Sequence, residues 1–283
     1  MSDRTVLITG VTGNQGGATA RALVGQELRL RGMTRRPHGD AARALKDLGV
    51  EIIEGDLDDE DSLKRAVEGA WGVYAVQNTW EGGVEKEETQ GHRLARLAHA
   101  AGVERYVYAS VGSAHRNTGI PHFDNKHRVE ETVRARGFPS YAIIRPVFFM
   151  ENLTSPWFLT GDTLHAAMKP TTLLQMIAVD DIGKYGALAF ERHAELNGVG
   201  LDIAGDAKTG PEAAEVLSRV TGRPIAFVRV PIAEVRKFSD DYATMLEWFD
   251  AVGYDADIAG NAKKYGIRPT TFEEWAARQK WNG

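Results

Sequence analysis

One stretch, Thr9-Gly10-Val11-Thr12-Gly13-Asn14-Gln15-Gly16-Gly17, constrains the chain more than any other. It follows the continuous apolar run from Thr5 to Thr9, which reads as a buried strand. It precedes residues 14–25, where Ala and Leu recur at helical spacing until Gly25 stops them. Gly10, Gly13 and Gly16 are therefore spaced GxxGxxG across a strand-to-helix turn. In such a turn the first glycine permits a tight reversal and the second lets the backbone approach a pyrophosphate. The third lets helix and strand pack closely. Exposed amides and the positive end of the helix then attract phosphate. No Gly-Lys-Ser/Thr follows, which excludes a Walker-type loop. A dinucleotide is the ligand this spacing predicts.

The segments that follow support that prediction because strands and helices alternate. Strands are expected at Leu28–Thr34, Val50–Ile53, Gly72–Val76, Tyr106–Ala109 and Tyr141–Ile144. Helices are expected over 38–48, 59–67, 83–101 and 124–136, and the 83–101 helix carries Glu85, Glu87 and Glu88 in its first turns as its dipole favours. Alternation of this kind implies right-handed crossovers and a parallel sheet covered on both faces. The fold class expected is α/β, a Rossmann-type doubly wound parallel sheet with a smaller C-terminal α/β lobe. Residues 1–150 would form the dinucleotide-binding domain, with 176–205 returning to the sheet. Residues 151–175 and 206–283 would form the smaller lobe that receives substrate or partner. Helical patches in the later chain are expected at 179–192, 211–220, 232–237, 240–252 and 271–281, with a strand at 199–203.

Composition narrows the class further. Of 283 residues, 34 are Lys or Arg and 39 are Asp or Glu, a formal net charge of −5 that counts against direct nucleic-acid binding. Cysteine is absent, which excludes disulfides, thiolate metal sites and a Cys nucleophile. No apolar run approaches membrane length, and the first strand begins too early for a signal peptide, so a cytoplasmic protein with no membrane contact is expected. The eight histidines form no metal-ligand pattern.

Which dinucleotide is decided after the second strand. An NAD site places a carboxylate there; this chain has Gly32-Met33-Thr34-Arg35-Arg36. A guanidinium at that point suits a 2′-phosphate, so the expected cofactor is NADP(H). Asp56, with Leu57, follows the third strand, where a carboxylate can accept a bond from the adenine amino group or simply cap the next helix. Gln77 and Asn78 follow the fourth strand, where amides can hold ribose and phosphate oxygens or serve as an ordinary loop. Ser110 and Ser113 follow the fifth.

Folds of this type often reduce carbonyls with a Tyr-x-x-x-Lys pair on the helix before the sixth strand, yet none of the eight tyrosines has Lys four residues later. The segment Pro121-His122-Phe123-Asp124-Asn125-Lys126 keeps Lys126 and places His122 one helical turn earlier. Lys126 is expected to hold cofactor, and Lys126 with His122 are the candidate catalytic groups. Pro146, Phe148 and Asn152, at and beyond the end of the sixth strand, would face the nicotinamide or join two lobes as plain core. The cofactor-binding set is then Gly10, Thr12, Gly13, Asn14, Gln15, Gly16, Arg35, Asp56, Leu57, Gln77, Asn78, Ser110, Lys126, Pro146, Phe148 and Asn152.

Taken together, the glycine turn, Thr34-Arg35-Arg36-Pro37, Glu54-Gly55-Asp56, Asn78-Thr79-Trp80-Glu81, His122–Lys126, Arg145–Asn152 and the closing Thr271-Phe272-Glu273-Glu274-Trp275 resemble the NmrA-like family, a branch of atypical short-chain dehydrogenase/reductases. The resemblance implies NADP(H) held by the glycine loop and Arg35, with Lys126 reaching the nicotinamide ribose; the missing Tyr is typical of that branch. It also implies two alternatives. One is an NADPH-dependent reductase of quinone-like or enone-like small molecules. The other is a non-catalytic redox sensor that acts through a protein partner. A homodimer is open in either case.

Overall fold

The computed structural model describes residues 4–281. In chain order its elements begin β1 (Thr5–Ile8), α1 (Asn14–Leu23), β2 (Arg29–Thr34), α2 (Asp40–Asp47), β3 (Glu51–Glu54), α3 (Glu60–Val67) and β4 (Ala70–Ala75). Then come α4 (Thr79–Gly82), α5 (Val84–Ala100), β5 (Arg105–Ala109), α6 (Pro121–Ala135), β6 (Ser140–Pro146), β7 (Phe148–Phe149), β8 (Leu159–Thr160) and β9 (Thr163–Ala166). The chain continues with β10 (Leu174–Ile177), α7 (Val179–Glu191), β11 (Val199–Ile203), β12 (Asp206–Lys208), α8 (Gly210–Thr221) and β13 (Ala226–Arg229). Four helices close it: α9 (Ile232–Arg236), α10 (Asp240–Ala251), α11 (Ile258–Tyr265) and α12 (Phe272–Ala276). Among the described residues no helix is long and apolar enough to cross a membrane.

Two compact units emerge. The first comprises the chain up to Val111, Asp124–Arg145 and Ile182–Leu201; the second comprises Gly112–Phe123, Pro146–Asp181 and the chain from Asp202 onward. The seven-stranded sheet runs β11-β6-β5-β4-β1-β2-β3, and each neighbouring pair from β6 to β3 is parallel. From β1 the order winds outward to β2 and β3, and from β4 it winds the other way to β5 and β6. This is the doubly wound α/β arrangement that the alternating pattern predicts. The direction reverses between β1 and β4, and in open α/β sheets ligands bind outside the carboxyl ends of the strands at such a point.

Burial explains the apolar run of β1. Val6, Leu7 and Ile8 are all fully buried, because helices cover both faces. On one face Leu63 and Ala66 of α3, Leu94 and Ala98 of α5 and Val129 and Val133 of α6 pack on Leu7, Val73, Tyr106 and Tyr108. The other face holds α1 and α7 in unusually close approach. A Cβ on Gly183 of α7 would lie 2.5 Å from the backbone of Ala18, and one on Gly186 would lie 2.6 Å from Thr19 Oγ1. Helix α3 starts where Asp59 accepts hydrogen bonds from the Asp61 and Ser62 amides.

The second unit contains two three-stranded sheets, β12-β10-β7 and β13-β9-β8, each mixing one parallel and one antiparallel pair. Capping boxes start α8 at Thr209 and α12 at Thr271. The last helix ends at Ala276, shorter than the 271–281 expected from sequence, and the Trp281 indole turns back to donate to the Ala276 carbonyl at 2.8 Å.

The α1–α7 seam gives a direct test. Gly183→Ala should lower the unfolding free energy by about 1–3 kcal/mol through overpacking, measured by urea denaturation; an unchanged midpoint would show that the two helices can separate without cost.

Candidate functional site

The carboxyl ends of β1, β2 and β4 in the first unit carry the site. Gly10, two residues beyond β1, has φ +59, a left-handed conformation that glycine adopts most readily. The chain then turns so tightly that a Cβ on Gly16 would clash with the Gly10 carbonyl oxygen and lie 2.7 Å from Thr9 O. The Gly13 amide donates to the Gly10 carbonyl at 2.9 Å, and the Gly17 amide donates to Gly13 at 3.0 Å. Helix α1 begins at Asn14 with no side-chain cap and no acidic residue in its first turn. The amides of Asn14, Gln15 and Gly16 therefore have no helical acceptor, and the positive end of the helix is not neutralised. Thr9 locks this elbow to β4, its hydroxyl donating to the Val76 carbonyl at 2.9 Å and accepting from the Val76 amide at 2.8 Å.

Neighbouring strand ends add polar groups. Thr12 Oγ1 lies 3.3 Å from Thr34 Oγ1, which joins the elbow to the end of β2. Arg35 follows directly, exposed, and its Nη2 donates to Glu81 on α4. Asp56 accepts from the Asp58 amide at 3.0 Å, so its carboxylate shapes the turn before α3; the Leu57 carbonyl accepts from Arg93 at 2.7 Å. Asn78 caps α4, accepting from the Trp80 amide at 3.1 Å. Gln77 is different: its side chain is buried, and neither amide atom has a hydrogen-bond partner. The same holds for Gln15 Oε1 on the elbow. Buried amides of this kind are costly unless something satisfies them. A glycine cradle with open amides, beside two orphaned amide groups, fits a phosphate-bearing nucleotide.

Lys126 proves to be half of a buried cluster. Its Nζ lies 2.6 Å from Glu87 Oε1, and both side chains are almost wholly enclosed. Asn125 donates to Glu87 Oε2 at 2.9 Å, and the Thr79 hydroxyl donates to the same carboxylate. Burial pushes the Glu87 carboxyl up, but attraction to Lys126 and these three hydrogen-bonded neighbours outweigh it and hold the pKa below its ordinary value. Sequence reasoning gave Glu87 only to the helix dipole; its role depends on a lysine 39 positions later, which spacing does not reveal.

A second buried carboxylate, Glu130, occupies Ser110. That hydroxyl donates to Glu130 at 2.6 Å, while Arg145 grips both carboxylate oxygens at 2.8 and 2.6 Å. Gly200 leaves room for the guanidinium, since a Cβ there would sit 3.0 Å from it. Burial again works upward, and Arg145, then Ser110 and Arg134, bring the Glu130 pKa below its ordinary value.

The remaining sequence candidates belong to the second unit. His122 is buried and its Nδ1 pairs with Asp241 of α10, a partner that no local motif announces. Ser113, at φ +64, donates its amide to the Asp202 carboxylate at 2.6 Å. The Pro146 carbonyl accepts from Gly112 at 2.8 Å, and the Asn152 carbonyl accepts from Ser155 at 3.1 Å. The Phe148 ring packs edge-on against Phe158 at 5.6 Å. Beside Asn152, Glu151 accepts from the Val179 amide and the Trp275 indole, both at 3.0 Å; burial leaves its pKa raised.

Comparison with known proteins now carries weight. The profile of the NmrA-like family matches residues 2–276. The chain belongs to the NmrA-like family. This NmrA-like chain is 26% identical over 300 residues to an NmrA-like family domain-containing protein of Dictyostelium discoideum, covering 96% of each. It is 30% identical over 240 residues to a (4-alkanoyl-5-oxo-2,5-dihydrofuran-3-yl)methyl phosphate reductase of Streptomyces griseus, covering 82% of this chain and 79% of that one. Against an NmrA-like family domain-containing oxidoreductase of Aspergillus japonicus, at 31% identity, the match spans 53% of this chain and 48% of the relative. Two solved structures share the fold. NmrA, a negative transcriptional regulator, in complex with NADP gives a TM-score of 0.79 at 19% identity, covering 98% and 95% of the two chains. An NADPH-dependent quinone oxidoreductase of Escherichia coli complexed with NADPH also gives 0.79, at 22% identity, covering 96% and 98%.

The two buried carboxylates of the NmrA-like chain contribute to its acid sensitivity. A folded-state pKa below the ordinary 4.5 means that the native state binds fewer protons, so this stabilisation is complete above that value and is lost as pH falls through the folded pKa. Glu130→Gln should cost about 3 kcal/mol at neutral pH by removing the buried carboxylate charge that Arg145 grips at both oxygens, and should show a shallower loss of stability below pH 4.5 than wild type. Urea denaturation across that window checks both; parallel acid limbs would assign the sensitivity elsewhere.

Proposed function

We propose that this chain is an NADPH-dependent reductase of small quinone-like or enone-like acceptors. The observation that carries the reading is the glycine elbow, where Gly16 meets the Gly10 carbonyl and the first-turn amides of α1 are uncapped. Backbone donors so arranged bind a diphosphate. Arg35, directly after β2 where NAD-specific sites place a carboxylate, selects the 2′-phosphate. The Gln77 Nε2 group donates to a phosphate or ribose oxygen, while Gln15 Oε1 and Gln77 Oε1 accept from ribose hydroxyls. A bound nicotinamide supplies a hydride.

The chain's own residues then have limited work. Lys126, held by Glu87, presents its ammonium to a ribose hydroxyl in a fixed direction. No tyrosine stands four residues before it, so reduction of a simple ketone to an alkoxide has no matched acid here. Quinones and enones suit such a site because the enolate or hydroquinone oxyanion formed from them needs less help. The names of the Streptomyces griseus relative and of the quinone oxidoreductase support the same class. His122, paired with Asp241, remains a candidate catalytic group, and the proposed site of action is the cytoplasm. The likeness to NmrA supports the second reading, a regulator that binds the dinucleotide without turning it over. A ligand switches such a protein only by binding one conformation better than another.

Titration calorimetry with NADPH and NADH, followed by NADPH absorbance against quinones and enones, tests the proposal. Tighter binding of NADPH and turnover of at least one acceptor are expected. Arg35→Gln should weaken NADPH by about 10–100-fold and NADH far less. Lys126→Gln, which keeps a donor for Glu87, should lower kcat by about a hundredfold. Binding without oxidation by any acceptor would favour the regulator, and binding of neither coenzyme would end both readings.

A further inference from the structure

Resting on the dinucleotide site just described, we propose that Glu81 is a specificity-determining residue that opposes Arg35, setting the choice between coenzymes with and without a 2′-phosphate. Nothing in the function proposed above uses Glu81, yet its carboxylate sits on the one guanidinium placed for that phosphate. The pair joins residues 46 positions apart, and both side chains are more than half exposed, 58% for Arg35 and 54% for Glu81. The contact runs from a single terminal nitrogen, so the other donors of the guanidinium are not committed to Glu81.

The element that carries Glu81 is pinned at both ends. Asn78 caps α4 through the Trp80 amide at 3.1 Å, and the Gly83 amide, at φ +86, closes it on Thr79 O at 2.7 Å. Thr79 itself is buried and bonded to Glu87. A carboxylate on so short and firmly held a turn cannot swing far from Arg35 by moving the backbone. The backbone under Glu81 is therefore held in place beside Arg35.

Charge decides what such a placement does. A 2′-phosphate is close to dianionic and must share Arg35 with Glu81, which repels it and competes for the same donors. A 2′-hydroxyl is neutral and donates a hydrogen bond, which a carboxylate accepts. Arg35 thus favours the phosphorylated coenzyme while Glu81 favours the other, and the difference between them sets the preference. An unopposed arginine would hold the phosphate more tightly; the opposed one keeps the site open to both coenzymes.

The experiment compares dissociation constants for NADPH and NADH, by calorimetry at low and physiological salt, for wild type, Glu81→Gln and Glu85→Gln. Glu85, exposed in the first turn of α5, controls for a change in net charge alone. Thermal melts of all three confirm folding, which a substitution at an exposed side chain should leave intact. The expected result is a rise of about tenfold in the preference of Glu81→Gln for NADPH, smaller at higher salt, with Glu85→Gln close to wild type. A preference that is unchanged, that falls, or that rises equally in Glu85→Gln overturns the inference while leaving the dinucleotide site standing. Wild-type protein that binds neither coenzyme removes the site and the inference together.

Discussion

The close approach of Gly16 to the Gly10 carbonyl is the constraint from which the rest of the first unit follows. No side chain fits between them, so α1 starts directly above the end of β1 with its amides open. Thr9 ties the same turn to β4 through two hydrogen bonds with Val76, across the point where the strand order reverses. On its far side α1 is held by the glycines of α7. The elbow is thereby held by the Gly10–Gly16 approach, the Thr9 hydroxyl and the glycines of α7, which is what a binding site made of amides requires: its donors cannot reorient to satisfy themselves when no anion is present.

Around that elbow the interior is polar in a selective way. Glu87 and Glu130 are charges buried in a domain with ample apolar material, and each costs desolvation that only good geometry offsets. Both connect elements that pattern alone leaves unrelated. Glu87 joins α4, α5 and α6 through Thr79, Lys126 and Asn125, while Glu130 joins α6 to β5 and β6 through Ser110 and Arg145. Lys126 is consequently aimed by its surroundings rather than left on a flexible tether, and Ser110 supports a buried carboxylate. Gln77 marks the opposite case, a buried side chain whose bonds remain to be made.

The sheet was legible because its signal is local. Buried parallel strands are short continuous apolar runs, and the expected segments at 28–34, 106–109 and 199–203 coincide with β2, β5 and β11 to within a residue or so. The strands of the second unit carry no such signal. β7 and β8 are two residues long, and β9 finds its parallel partner β13 about 60 positions away, where register comes from tertiary packing. Helix α11, where no helical patch is expected from sequence, contains Gly260 and Asn261; Asp257 caps it and the Asn261 side chain donates to Asp202 O at 2.9 Å. The same divide runs through the site. Glycine spacing, Arg35 and Lys126 could be picked out along the chain, whereas Glu81, Glu87, Glu130 and Asp241 gain meaning only from partners 15 to 119 residues distant. Motifs report what the backbone needs at one place; electrostatic partners report the fold.

Amide hydrogen exchange, resolved by NMR at Asn14, Gln15 and Gly16 with and without NADPH, tests the central claim most directly. These first-turn amides have no acceptor in the helix, so a diphosphate seated on them should slow their exchange strongly while amides in the middle of α1 change little. Exchange at the three positions that stays the same at saturating NADPH would contradict the account.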